Sequence, residues 1–354
     1  MAGDGQYDIR ATIGAVVDGR TLTRAEAAAA MDAIMGGQVT GAQIGALVTA
    51  LRMRGETVEE IAGFASAMRA HALAVEVDDG AGPLVDTCGT GGDAAGTFNI
   101  STTAAFVIAA AGVRVAKHGN RAVTSKCGSA DLLEGLGVAI DLQPTAVARC
   151  IEEAGIGFMY APSFHPAMRF VGPARREIGL RTVFNILGPL TNPAAARHQL
   201  IGVGHPEIAG KLARALATLG SEHAVLVHAE DGLDELGLAG PSQVTEYDAR
   251  VGEIRTYDLV PEDLGLARAD VEALRGGGVD RNVAITRAIL SGEQGPRRDV
   301  ILLNAGAGIY AANAAATIRE GVVLAAEAID SGRAAATLEK LVDVSRSAAT
   351  LVPA

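Results

Sequence analysis

Two adjacent carboxylates, Asp234 and Glu235, close the run Asp231-Gly232-Leu233-Asp234-Glu235, just past a buried-looking stretch from His223 to His228. Like charges so placed repel unless a cation or basic group lies between them and another charge. Magnesium suits them, because it takes few carboxylates and fills its shell with the phosphate oxygens of a bound substrate. An ordinary acidic turn is the plain alternative. A second signal lies upstream, where Asp86-Thr87-Cys88-Gly89-Thr90-Gly91-Gly92-Asp93 is followed by Thr97-Phe98-Asn99-Ile100-Ser101-Thr102-Thr103 and an apolar helix. Strand, glycine loop and helix start follow one another here. Glycines let the backbone approach a ligand, and free N–H groups and hydroxyls at a helix N-terminus bind phosphate oxygens. The loop fits neither common nucleotide motif: Ala94 replaces the third glycine of GxGxxG, and Thr97 follows Gly96 where a P-loop has lysine. It reads as a phosphate or diphosphate site of another type, or as a structural turn.

A third signal runs from Val115 to Asp131. Between Arg114 and Lys126 there are four basic residues and no acid, in a chain with 30 Lys and Arg against 41 Asp and Glu. The run follows the next strand, so it is expected at the same carboxyl edge of the sheet as the glycine loop, where open α/β sheets bind ligands. A solvated basic loop is the alternative. In the fourth signal, Phe164 to Pro193, the four arginines between Arg169 and Arg181 face a single acid. One of them could grip a carboxylate bidentately, although arginines on helix surfaces are common. Among the seven histidines only His118 is read as part of a signal, the others being assigned to ordinary core or surface. Neither HExxH nor GxSxG occurs, and nothing suggests a covalent nucleophile.

The elements that must hold these groups are legible in outline. Three boxes, Thr23 with Glu26, Thr40 with Gln43 and Thr57 with Glu60, start three helices in the first eighty residues. Ile44, Leu47, Val48 and Leu51, then Ile61, Phe64, Ala65 and Met68, give two of them an apolar face. From Gly82 short β runs alternate with helices: 83–86, 112–116, 138–140, 200–203 and 224–227, which implies a mainly parallel sheet covered by helices. Two later strands, 243–247 and 253–257, are close enough to be antiparallel. The last hundred residues return mostly to helix.

Composition narrows the classes of function. A net charge of -11, 3% aromatic residues and no Trp argue against a nucleic-acid surface, so any anion site must be local. Cys88, Cys127 and Cys150 are widely spaced, which suggests neither a disulfide framework nor structural zinc and fits a reducing cytoplasm. The first residues show no export signal, and the apolar stretch 300–316 is interrupted by Asn304 and Asn313, so no membrane span is expected.

The segments GTGGD, NIST, KHGNRAVTSKCGSADLLEGLG, FHPAMRFVGPARREIGLRTVFNILGPLTNP and DGLDE, in this order, closely resemble the anthranilate phosphoribosyltransferase family over essentially the whole chain. The resemblance implies a small helical domain (1–80, rejoined by about 163–185) and a larger α/β domain (81–354), with the active site in the hinge. It also implies a cytoplasmic homodimer formed through the helical domain. The implied reaction joins phosphoribosyl diphosphate (PRPP) to anthranilate with magnesium, in two ions per site, as the second step of tryptophan biosynthesis from chorismate. By the same resemblance the PRPP site comprises Gly89, Gly92, Asp93, Thr97, Asn99, Ile100, Ser101 and Thr102, then Lys117 through Ser125 (Lys117, His118, Gly119, Asn120, Arg121, Ala122, Val123, Thr124, Ser125), and Ser129. Ser101, Asp234 and Glu235 are the implied magnesium ligands, while Gly89, His118, Asn120 and Arg175 are the implied anthranilate site. Thr124 stands where the family often has Ser, and keeps the hydroxyl. Two other readings share the fold: a pyrimidine nucleoside phosphorylase, which gives Asp234 and Glu235 no clear role, and a non-catalytic nucleic-acid-binding relative, against which the acidic charge argues.

Overall fold

Four helices open the chain: α1 (Ile9–Val17), α2 (Arg24–Met35), α3 (Gly41–Arg54) and α4 (Val58–Ala70). In this computed structural model residues 7–92, 95–122 and 126–350 are described. Asp93, Val123, Thr124 and Ser125, expected in the PRPP site, lie outside the described residues. Helices α2, α3 and α4 begin where the sequence places them. At each, the threonine hydroxyl accepts the backbone N–H three residues on, while Glu26, Gln43 or Glu60 accepts the threonine amide. Such a cap is worth about 1 kcal/mol per helix. The buried Glu60 also accepts the Leu22 N–H at 2.8 Å and pairs with Arg54 at 2.5 Å, which ties α4 to the end of α3.

Among the described residues the sheet has seven strands: β1 (Leu84–Gly89), β2 (Arg114–Gly119), β3 (Ile156–Tyr160), β4 (His198–Gly202), β5 (His223–Ala229), β6 (Ser242–Asp248) and β7 (Glu253–Leu259). Their order is β3-β2-β1-β4-β5-β6-β7. The first five are parallel and the last two antiparallel, as the alternation of β and helical runs predicts. One expected strand is wrong. Residues 138–140 form no regular element and join no ladder: Val138 and Ile140 plug the core, and the Ala139 amide goes to Ser345 Oγ at 3.1 Å. The strand beside β2 is instead Ile156–Tyr160, a short apolar run directly after the glycine that ends a helix.

Side chains alternate across the inner strands, and both sheet faces are covered. Leu200, Val225 and Val227 join a core with α5 (Ile100–Ala110), α6 (Ser129–Leu136), α7 (Pro144–Ala154) and the C-terminal helices. Ile201, Ala224 and Leu226 face a second core built from α1–α4, the helix Ala209–Thr218, and Ala167, Val171, Ala174, Val183 and Phe184. The segment around 163–185 therefore packs with the N-terminal helices. From β1 the chain crosses to β2 on one side, then returns to β4 on the other. The reversal opens a crevice at the carboxyl ends of β1 and β4, the usual ligand position in such sheets.

Candidate active site

Gly89 and Gly202 are partners at that crevice. A Cβ on Gly202 would overlap the Asp234 backbone, and one on Gly89 would stand 2.7 Å from Asp234 Oδ2. Bare backbone at these two positions lets the acidic pair settle on the sheet edge. Asp234 Oδ2 then accepts the Gly91 N–H at 2.8 Å, and Glu235 Oε1 accepts the Ser101 N–H at 3.2 Å in the first turn of α5. The amides expected to receive phosphate are thus met by the protein's own carboxylates. A diphosphate cannot take its place beside two carboxylates without a cation between them. Two carboxylates and the Ser101 hydroxyl form an all-oxygen set, which fits magnesium. The other carboxylate cluster does not fit a metal: Glu246, close to His223 and Asp248, is already saturated by His223, Arg255, Tyr257 and Tyr310.

Lys117 enters from β2 and is 2% exposed. Its ammonium donates to the Thr87 carbonyl and lies 3.4 Å from Thr87 Oγ1 and 3.5 Å from Ser101 Oγ. Burial pushes its pKa down, opposed by the nearby Asp86 charge. Ser101, Lys117, Asp234 and Glu235 are therefore one cluster. Asn99 braces it from below, giving Nδ2–H to the Cys127 carbonyl and taking one from Asn282, each at 2.9 Å. Ser129 Oγ donates to the Asn120 carbonyl at 3.1 Å, which closes the loop after β2. Ile100 and Thr102 are both buried, Ile100 in the core beneath the sheet. Gly92 sits at the loop tip, and Thr97 pairs with Arg275 in an isolated bridge.

The four cations of the basic run do not form one patch. Arg114 begins β2 at the opposite edge, donating to the Asp78 and Gly82 carbonyls. Arg121 is exposed and neutralised by Asp131 at 2.9 Å and Glu134 at 2.8 Å, with Asp131 also holding the Ala122 amide. Only Lys117 is directed into the cluster.

On the other side of Gly89 lies a cavity of about 750 Å³. Its sheet wall is Cys88, Gly89, His118, Gly119 and Asn120, and its far wall is His165, Met168, Arg175, Phe184 and Pro189. The size and mixed lining suit a small aromatic ligand with one charged group. Arg175 has no hydrogen-bond or ion-pair partner among the described residues, lies 5.7 Å over the Phe184 ring, and has its pKa lowered by burial. A half-buried, unpaired guanidinium is prepared for an anion. His118 and His165 face each other with ring centroids 5.0 Å apart, and each Nε2 is buried without a partner. Burial pushes His118 down to about 3 and His165 to about 4, so both rings are neutral.

Sequence reasoning missed three residues here. His165 lay inside the quoted Phe164 segment, yet was assigned to core or surface. Arg181 donates to the Gly91 carbonyl at 2.9 Å and the Thr90 carbonyl at 3.3 Å, fastening the 163–185 segment to the glycine loop. Asn192, buried at 3% exposure, reaches Asp86 and the Ala116 carbonyl, both at 2.8 Å.

The chain matches two family models: the helical bundle domain of a glycosyl transferase family over residues 10–72, and the a/b domain of that family over residues 81–335. The anthranilate phosphoribosyltransferase of Chloroflexus aurantiacus is 60% identical over 341 residues, 96% of this chain and 99% of that one. The crystal structure of the Thermus thermophilus enzyme matches with a TM-score of 0.89 at 48% identity, covering 94% of this chain and 99% of that one. A solved structure of the Saccharomyces cerevisiae enzyme, in complex with PRPP and Mg, matches with a TM-score of 0.85 at 28% identity, covering 96% of this chain and 100% of that one. With identity this high along nearly its full length, the chain, in which an acid-lined crevice and the Arg175 cavity meet at Gly89, belongs to the anthranilate phosphoribosyltransferase family.

Proposed function

We propose that the chain transfers the 5-phosphoribosyl group of PRPP to the amine of anthranilate, giving N-(5-phosphoribosyl)anthranilate and diphosphate in tryptophan biosynthesis. One observation carries this reading: the Asp234–Glu235 crevice and the Arg175 cavity share Gly89 as a common wall, so two unlike substrates meet there. Asp234, Glu235 and Ser101 would hold magnesium, in two ions, and the metal supplies charge neutralisation of the diphosphate. Lys117 and the glycine-loop backbone bind and orient PRPP beside Ser101. Arg175 holds the anthranilate carboxylate, while Asn120 and the neutral rings of His118 and His165 line the ring pocket. As the C1–O bond to diphosphate breaks, C1 gains oxocarbenium-like character and the amine nitrogen bonds to C1 from the opposite face. An aromatic amine is already nucleophilic, so positioning and leaving-group stabilisation supply most of the acceleration and no strong base is required. The secondary ammonium so formed loses its proton to solvent water, giving the neutral product amine and free diphosphate.

The same reading places the protein in the cytoplasm as a homodimer formed through the N-terminal helices, with domains dividing near residue 80 and 163–185 rejoining the helical one. None of the described helices is long and apolar enough to cross a membrane. A phosphorylase reading leaves the acidic pair at the anion loop without a role. Incubation with PRPP, magnesium and anthranilate should release diphosphate in step with anthranilate consumption. Phosphate-dependent release of free base from a pyrimidine nucleoside, with no diphosphate from PRPP, would favour the phosphorylase.

A further inference from the structure

Strands β1 and β2 begin as a parallel pair and then lose their ladder while remaining neighbours. Their register is confined to Leu84↔Arg114 and Val85↔Val115. Yet β1 stays paired with β4 through Gly89, and β2 with β3 through Gly119. Backbone groups on facing edges that leave a ladder must find other partners. Here side chains take them over: the His118 N–H donates to Asp86 Oδ1 at 3.2 Å, Asn192 Nδ2–H donates to the Ala116 carbonyl at 2.8 Å, and the Lys117 ammonium donates to the Thr87 carbonyl. Asn192 also donates to Asp86 Oδ2 at 2.8 Å, which locks the set together. Asp86 is fully buried, and Asn192 and Lys117 are 3% and 2% exposed.

We infer that Asp86 and Asn192 are positioning residues, a polar wedge that takes the place of the β1–β2 ladder and thereby sets Lys117 against Ser101 and His118 against the cavity. A continuous ladder would satisfy the same backbone groups without burying a carboxylate, an ammonium and an amide, so the wedge is a costly arrangement for stability alone. Its gain is geometric. With the backbone beyond Val85 and Val115 bonded to side chains in place of a ladder, successive residues of β2 serve different sites, Lys117 the Ser101 cluster and His118 the cavity. The inference rests on the proposed role of Lys117 in holding PRPP.

A double-mutant cycle tests whether the wedge acts through Lys117, with PRPP and magnesium binding read by calorimetry and folding by circular dichroism. Asp86→Asn should weaken binding at least about tenfold in the parent and less than about threefold in the Lys117→Met background. Equal factors in both backgrounds overturn the inference. Asn192→Ser should repeat the pattern and decides the matter where Asp86→Asn fails to fold; failure of both to fold assigns the pair to stability alone and also overturns it. Hydrogen exchange gives a readout without ligand: the His118 amide should exchange faster in Asp86→Asn, and unchanged protection counts against the wedge. A parent chain that binds no PRPP, with the faster exchange still seen in Asp86→Asn, sinks the functional reading and leaves the wedge standing.

Discussion

Gly91 donates its backbone N–H to Asp234 Oδ2 at 2.8 Å, joining a loop residue to a carboxylate 143 positions away. The contact places negative charge inside the proposed phosphate cradle, an arrangement that works only with a cation between carboxylate and substrate. Asp234→Ala combined with Glu235→Ala should therefore lower turnover by at least about a hundredfold while the fold persists. Loss of the Gly91 contact itself, a hydrogen bond to a charged group, costs about 1.5–3 kcal/mol of stability. Kinetics across a magnesium titration check this; near-normal activity with an unchanged magnesium response would remove these carboxylates from the site.

Arg175 and Ser101 lie on opposite sides of Gly89 and should separate kinetically. Arg175→Ala removes a charge-assisted contact worth roughly 1.5–3 kcal/mol, so the anthranilate KM should rise about 10- to 150-fold. The PRPP KM should change far less. Ser101→Ala should show the opposite bias, because its hydroxyl stands 3.5 Å from Lys117 Nζ on the diphosphate side. Equal losses for both substrates in both folded variants would mean that the boundary between the sites is misplaced.

The paired histidines make stability depend on pH with a definite sign. Folding lowers His118 from 6.5 to about 3 and His165 from 6.5 to about 4. Below 6.5 the unfolded chain takes up protons that the folded chain refuses, so this stability is complete above 6.5 and drains away as pH falls toward 4. His118→Asn combined with His165→Asn should flatten that acid limb. Urea midpoints measured across the range decide it, and an unchanged slope would show that other groups govern acid sensitivity.

Association should use the outer helical face. Val17 is 66% exposed on α1 and Met53 is 85% exposed on α3, large apolar side chains that the fold leaves uncovered. Met53→Glu should shift sedimentation from dimer toward monomer. A parent chain that is monomeric at micromolar concentration would remove the homodimer proposal.

Local signals carried most of what was legible beforehand. A capping box spans four residues, so Thr23, Thr40 and Thr57 announce their helices by themselves. The glycine loop and the Asp234–Glu235 pair were visible as chemistry for the same reason. What stayed hidden depends on distant partners. Nothing near Arg121 shows that Asp131 and Glu134 neutralise it, and the Arg114 to Lys126 run looks continuous only in sequence, because β2 carries its two ends to different places. Residues 138–140 and 156–160 are both short apolar runs; only the neighbouring strand decides which one enters the sheet. His165 became a cavity residue through its approach to His118, a relation that no spacing rule reveals.

The central claim is that the crevice and the cavity bring PRPP and anthranilate together at Gly89. Anthranilate fluorescence followed in the presence of the chain tests it most directly. The signal should fall when PRPP and magnesium are both present and hold steady when either is left out. Fluorescence that stays constant with all components present, in a folded protein, would contradict the account.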